Sequence, residues 1–357
     1  MGNFLQCDAH VSRPCHSFKK DVRKSKEERR RRRRRRFEEV YVLEKPLRSS
    51  KCASVYLCKK KETGEIFAVK RVNKIVVKKI FKDLLPDPRR EISFLKQLRG
   101  HEHVAKVHDY FETKKDLWIV MDYMNEGDLA DLIMHGRVEE KQVIDIIRQT
   151  AKALEHIHSK GIVHRDLKLE NIMLTRKSEK GPLSVKLIDF GISTKVGQHH
   201  RLRSTSVGTP GWLSPEIIAK KTYDQSVDMW ALGIATYVLL VGVLPFDEPL
   251  LNSSYGLKTN FNVDYRSAWH VSSDGCDFIS RLIAKNPSDR LTASQALKHP
   301  WLSRDYLNTT KHIRPRRSWP YDHIENVMYS ASFPNGGANE SKGCSSPLRF
   351  SNKKNVN

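Results

Sequence analysis

The run His164-Arg165-Asp166-Leu167-Lys168-Leu169-Glu170-Asn171 sets a histidine, two acids, two cations and an amide within eight consecutive residues. It follows the stretch 142–158, whose Val143, Ile146, Ile147, Ala151 and Leu154 fall on one helical stripe. Short apolar strands are predicted after it at 172–174 and 185–188, flanking a hairpin at 180–182. Asp189-Phe190-Gly191 closes the second of these strands. Upstream, 41–47, 54–58 and 66–72 read as strands, the third carrying Ala68-Val69-Lys70. Glu91 lies on a predicted helix over 89–98, with Ile92, Leu95 and Leu98 at helical spacing, and 117–121 is another apolar strand. Beyond about residue 213 the chain reads as mainly helical, with Ser214-Pro215-Glu216, Asp228-Met229-Trp230 and Arg290 along it.

Each of these short strings is a common accident when it stands alone. Together, in this order and spacing, they resemble the eukaryotic protein kinase family across about residues 38–302. Gly208-Thr209-Pro210-Gly211-Trp212 and His299-Pro300-Trp301-Leu302 look like the calcium/calmodulin-dependent group. The fold expected is α+β and two-lobed. A small antiparallel-sheet lobe with one main helix, over 37–124, precedes a larger mainly helical lobe over 125–302. A basic tail over 1–36 and a polar tail over 303–357 flank it, both read as disordered.

The resemblance implies transfer of the γ-phosphoryl group of ATP to a protein hydroxyl, with Mg²⁺ as cofactor. ATP phosphates concentrate negative charge, and Lys70 is the expected cation for the α/β-phosphates, its rotamer fixed by Glu91. Asp189 and Asn171 offer oxygens to Mg²⁺. Asp166 accepts the proton of the substrate hydroxyl, and Lys168 steadies the transferring phosphate. Lysine at that place is the pattern of Ser/Thr rather than Tyr kinases. Glu216 and Arg290 are read as a buried structural pair, and Asp228 as a brace for the catalytic loop.

The nucleotide cleft is expected from Leu47, Val55, Ala68, Met121, Asp122, Met124, Asp128 and Met173. Met121 stands as gatekeeper, the main chain of Asp122 and Met124 faces the adenine edge, and Val55, Ala68 and Met173 sandwich the ring. Asp128 and Glu170 also sit where arginine-directed kinases meet an arginine three residues before the phosphoacceptor. Thr205 aligns with an activating phosphorylation site whose phosphate would pair with Arg165 and requires an upstream kinase. Thr209 belongs to the loop that cradles the substrate.

One element departs from the family. The glycine-rich loop is replaced by Arg48-Ser49-Ser50-Lys51-Cys52-Ala53-Ser54-Val55, with Arg48, Ser50 and Ala53 in the glycine places. Glycine permits tight turns and close approach to phosphate oxygens. Two readings follow: a tuned loop on an active enzyme, which the intact catalytic groups favour, or a pseudokinase scaffold tethered by its basic tail.

Composition concerns the tails more than the fold. The net charge is +23, and 1–36 alone holds 14 basic and 4 acidic residues, ending in eight arginines from Arg29 to Arg36. Six scattered cysteines without zinc spacing, and no apolar leader, predict reduced thiols in a cytoplasmic protein, with the nucleus as alternative. Gly2 and Cys7 suggest acylation, which with the arginines favours an acidic membrane surface over nucleic acid. Calmodulin is not expected, because Pro315 and Pro320 interrupt the basic stretch 311–319. A monomer is expected.

Overall fold

β-Branched and aromatic residues over 41–73 fit a pleated, half-buried surface, and this part of the chain folds as three consecutive antiparallel strands. The computed structural model describes residues 36–81, 87–176, 178, 181–196, 208–246, 263, 268 and 270–303. A single helical turn, α1 (Phe37–Val40), leads into β1 (Tyr41–Ser49), β2 (Ala53–Lys60) and β3 (Ile66–Asn73). The helices α2 (Lys74–Phe81) and α3 (Arg89–Gln97) follow, then β4 (Val107–Glu112) and β5 (Asp116–Met121). The sheet order is β1-β2-β3-β5-β4, antiparallel at every neighbouring pair.

The strand β5, between β3 and β4, is buried at every position. On one face Phe37, only 2% exposed, stacks on Trp118 with ring centroids 4.7 Å apart and packs with Tyr41 and Phe111. On the other face Ala68, Val72, Ile92, Ile119 and Met121 form a second cluster, and Leu47, Ala53 and Val55 pack against it. This face roofs the cleft.

The large lobe comprises α4 (Leu129–Met134), α5 (Glu140–Ser159), β6 (Ile162–Val163), a 3₁₀ turn at Leu169–Asn171, β7 (Ile172–Thr175), β8 (Ser184–Leu187) and β9 (Thr194–Lys195). It continues with α6 (Pro215–Ile218), α7 (Ser226–Val241), α8 (Ser273–Leu282), α9 (Ala293–Lys298) and α10 (Pro300–Ser303). Residues from Val227 to Val241 are buried on all sides of α7, so this helix is the centre of the lobe. It stops at Gly242, whose φ of +88° is a left-handed cap that glycine adopts without strain. The helix α5 buries its Val143–Ile157 stripe against α7 and β8.

The α+β, two-lobed fold class is therefore present. Several elements were not expected from the sequence, among them α1, α4, β6 and β9 and, against their own residue preferences, α2 and β4. The helix α2 reads Lys-Ile-Val-Val-Lys-Lys-Ile-Phe, which by propensity favours strand. It forms because Asn73 Oδ1 accepts the amides of Ile75 and Val76, both at 3.1 Å, and so starts the turn. In β4, polar His108 and Asp109 interrupt the apolar alternation, and its pairing with β5 shifts register there.

Candidate active site

The strand β3 holds Lys70 opposite Val55 on one side and Ile119 on the other. The side chain reaches α3, where Nζ lies 3.0 Å from both carboxylate oxygens of Glu91, itself 2% exposed. It also lies 2.7 Å from Asp189 Oδ1. Burial pulls the Lys70 ammonium down, but Asp189 and Glu91 more than offset this and hold it above its ordinary value. Burial pushes Asp189 up, while the adjacent Lys70 prevails and lowers it to about 2. Asp189 is thus an anion across the neutral range.

Asp189 has φ of +58° and Arg165 φ of +70°, left-handed backbone that non-glycine residues seldom adopt. Such strain persists only where surrounding bonds over-determine it. At Arg165 they do. Asp228, 1% exposed in the first turn of α7, accepts from the amides of His164 at 2.8 Å and Arg165 at 2.9 Å. A third bond comes from His158 Nε2 at 2.8 Å. Burial opposes the Asp228 anion, and His158 and its other donors hold the carboxyl below its ordinary value. His164 reaches Ile188 O at 2.8 Å, tying the catalytic loop to the strand that carries Asp189.

The loop so held presents Asp166. Asn171 Nδ2 donates to Asp166 O at 2.7 Å and to Oδ2 at 3.1 Å. Thr209 Oγ1 donates to Asp166 Oδ1 at 2.7 Å and accepts from Lys168 Nζ at 2.8 Å. Lys168 Nζ is 3.7 Å from Asp166 Oδ2. Gly208 makes this approach possible: its φ is +120°, and a Cβ there would meet Arg165 O at 3.0 Å and Leu213 Cδ2 at 2.7 Å. Arg165 sends Nε to Ile192 O at 2.6 Å and Nη1 to the Tyr223 hydroxyl at 3.0 Å.

The β1–β2 turn is built without glycine and without strain. No residue from Arg48 to Val55 has positive φ. The Ser50 amide donates to Ala53 O at 2.8 Å, its hydroxyl to the same oxygen at 3.0 Å, and the Ala53 amide donates back to Ser50 Oγ at 3.2 Å. Ser49 and Ser54 hydroxyls meet at 3.0 Å, and Asn73 N donates to Cys52 O at 2.9 Å. Lys51 is exposed. Arg48 Nη2 lies 2.9 Å from Asp128 Oδ2, a contact between the two lobes.

Met121 pairs with Ala68, and both are buried, as is Met124. Met173, on β7, pairs with Asp128 through an isolated antiparallel bridge. The Asp122 carboxylate is committed to His108 at 2.6 Å, the Lys106 amide at 3.2 Å and Lys186 at 3.2 Å. Glu216 and Arg290 form a buried pair at 2.6 and 2.8 Å. Thr205, Gly2, Cys7 and the arginines before Arg36 lie outside the described residues. Among the described residues no three His, Cys, Asp or Glu side chains converge on one metal position. A divalent ion at Asp189 and Asn171 would depend on phosphate oxygens for most of its shell, which suits Mg²⁺.

The sequence did not indicate several of these contacts, among them Arg48–Asp128, His158–Asp228 and Thr209–Asp166. The Arg48–Asp128 pair joins residues 80 apart, and only the odd arginine in a glycine place hinted at it. His158 carried no signal, since a histidine near a helix end is ordinary.

Comparison with known proteins agrees with this geometry. The protein kinase domain family matches residues 41–302. The chain is 36% identical over 270 residues to calcium/calmodulin-dependent protein kinase type IV of Homo sapiens, covering 74% of this chain and 54% of that protein. It is 32% identical over 276 residues to myosin light chain kinase A of Dictyostelium discoideum, covering 76% of this chain and 91% of that one. With calcium/calmodulin-dependent protein kinase cmkB of Emericella nidulans it shares 36% over 275 residues, 75% of this chain and 67% of that one. The chain belongs to the protein kinase family, and its match spans about half the length of the type IV relatives.

Proposed function

We propose that this chain is a serine/threonine protein kinase, transferring the γ-phosphoryl group of Mg-ATP to a protein hydroxyl. The observation that carries the reading is the joined pair of networks: Lys70 with Glu91 and Asp189, and Asp166 with Asn171, Thr209 and Lys168. In the first, Lys70 is kept charged and its reach fixed, ready for phosphate oxygens. In the second, Asn171 and Thr209 orient the Asp166 carboxylate so that one oxygen can take the proton of an incoming hydroxyl. Lys168 sits where positive charge would oppose the charge of a phosphoryl group in transit. Mg²⁺, held by Asp189 and Asn171, would neutralise phosphate charge and help keep the reacting oxygens in line.

Asp128 and Glu170 support arginine upstream of the acceptor, and Thr205 with Arg165 supports activation by loop phosphorylation. Gly2, Cys7 and the arginine run support a cytoplasmic enzyme at an acidic membrane surface. Relatives are named for calcium/calmodulin; we do not carry calmodulin over, because Pro315 and Pro320 break the basic stretch. The glycine-free loop favours a second reading, a pseudokinase scaffold. Against it, the loop closes without any left-handed residue, so it needs no glycine to form.

The test is the full chain and its Asp189→Asn variant with Mg-ATP and a peptide bearing arginine three residues before serine. Labelled phosphate appearing on the peptide with wild type alone supports the kinase. No transfer at saturating ATP, even after an added kinase phosphorylates Thr205, leaves the scaffold.

A further inference from the structure

Arg48 crosses from the small lobe to the large one. It stands one residue before the end of β1, and its Nη2 lies 2.9 Å from Oδ2 of Asp128, the N-cap of α4. Asp128 is 3% exposed, and its other oxygen accepts from the Asp131 amide at 2.9 Å. Both carboxylate oxygens are therefore engaged by the chain itself. Around them Asp131 and Glu170 add negative charge, and the buried Glu170 Oε2 has no hydrogen-bond partner among the described residues. A buried carboxylate among other acids is costly without a cation, so this place always favours an occupant.

We infer that Arg48 determines substrate specificity by occupying the Asp128 carboxylate from within, in competition with an arginine side chain of the protein substrate. The inference rests on the kinase reading for its substrate. Three features make the occupant exchangeable. The Arg48 side chain is 53% exposed, so its own charge stays solvated when it turns into water, and the Asp128 charge it leaves is met by the incoming arginine. Among the described residues it makes one side-chain hydrogen bond, through Nη2, where an arginine approaching from outside can offer a two-pronged one. The turn behind it is fixed by Ser50 and Ala53, so release is a side-chain rotation and not an opening of the hairpin. A smaller residue at position 48 would leave Asp128 for the substrate. The arginine thus lowers the advantage of arginine-bearing substrates over neutral ones.

The test is binding by the full chain of two fluorescent peptides that differ only in arginine or alanine three residues before serine. Anisotropy gives the affinity ratio for wild type, Arg48→Met, Arg48→Lys and Arg48→Met with Asp128→Asn. The expected ratio rises about tenfold in Arg48→Met, the equivalent of one charge-assisted contact near 1.4 kcal/mol. It stays near wild type in Arg48→Lys and falls back in the double variant. An unchanged ratio in Arg48→Met overturns the inference, even if ATP affinity changes, since Arg48 would then be a strap over the nucleotide. A rise that survives loss of the Asp128 charge overturns it equally. Should the double variant fail to fold, the Arg48→Met and Arg48→Lys comparison decides. Phosphate transfer is followed in the same samples. A ratio that shifts as expected without transfer sinks the kinase reading alone, and transfer with an unmoved ratio sinks the inference alone.

Discussion

Arg290 grips Glu216 with both arms of its guanidinium, Nη1 at 2.6 Å and Nη2 at 2.8 Å, where neither side chain is more than 5% exposed. The same guanidinium donates to Ala284 O, Ser226 O and Lys285 O and lies 5.0 Å over the Trp230 ring. It fastens the segment after the substrate loop to α7. Removing one partner leaves a buried charge unpaired, at a cost of about 3–5 kcal/mol. Arg290→Met should cost more than Glu216→Gln, because it also orphans three carbonyls. Urea unfolding midpoints measure both; equal and small losses would contradict the account.

Thr209 stands between a carboxylate and a cation, giving its proton to Asp166 and its lone pair to Lys168. Thr209→Ala should lower kcat about tenfold, the rate equivalent of one hydrogen bond near 1.4 kcal/mol. Thr209→Ser keeps the hydroxyl and should keep most of the rate. Steady-state kinetics on both, with unfolding midpoints as a control, separates orientation of Asp166 from packing, which would penalise Ser and Ala alike.

The membership of the site was legible because its residues lie in short strings of charged residues in a fixed order. Lys70, Glu91, Asp166, Asn171 and Asp189 could be named before their distances were known. The helix α5 was legible from its apolar stripe, and the strands β1 to β3 from strand-forming residues and the turn at 61–64. What escaped depends on partners far along the chain or on single polar atoms. The start of α2 rests on the Asn73 carboxamide, against the strand preference of its own residues. The strand β4 is held by β5 despite a broken pattern. In the β1–β2 turn the sequence showed missing glycines, but the Ser50 hydroxyl that stands in one of their places acts through geometry.

Restoring glycine to that turn should therefore harm it. No residue there has positive φ, so Ala53→Gly adds freedom to the unfolded chain, a loss of about 0.5–1 kcal/mol, and also removes the methyl that packs against the cluster under the sheet. Ser50→Gly should lose more, because the hydroxyl bonds to Ala53 go as well. Thermal midpoints and the KM for ATP are to be measured together. A glycine that raised stability would show that the turn is strained as it stands.

Asp128 gives the fold a slope in pH. Burial raises its carboxyl from the ordinary 3.8 to about 6, with Arg48 opposing. Between those values the folded chain holds a proton that the unfolded chain has released. Stability from this group is therefore greatest below about pH 4 and is lost as pH rises through 6. The full span is at most about 3 kcal/mol, at 1.36 kcal/mol per unit, less whatever solvent near the exposed Arg48 screens. Asparagine at 128 cannot titrate. The stability difference between wild type and Asp128→Asn should thus fall between pH 4 and 6 and level off above 7. Urea unfolding of both proteins across that range measures it. A difference that grows with pH would mean that the Arg48 pair outweighs burial and holds the carboxyl below its ordinary value. The cleft would then be latched most firmly at neutral pH, and competition by Arg48 would strengthen as pH rises.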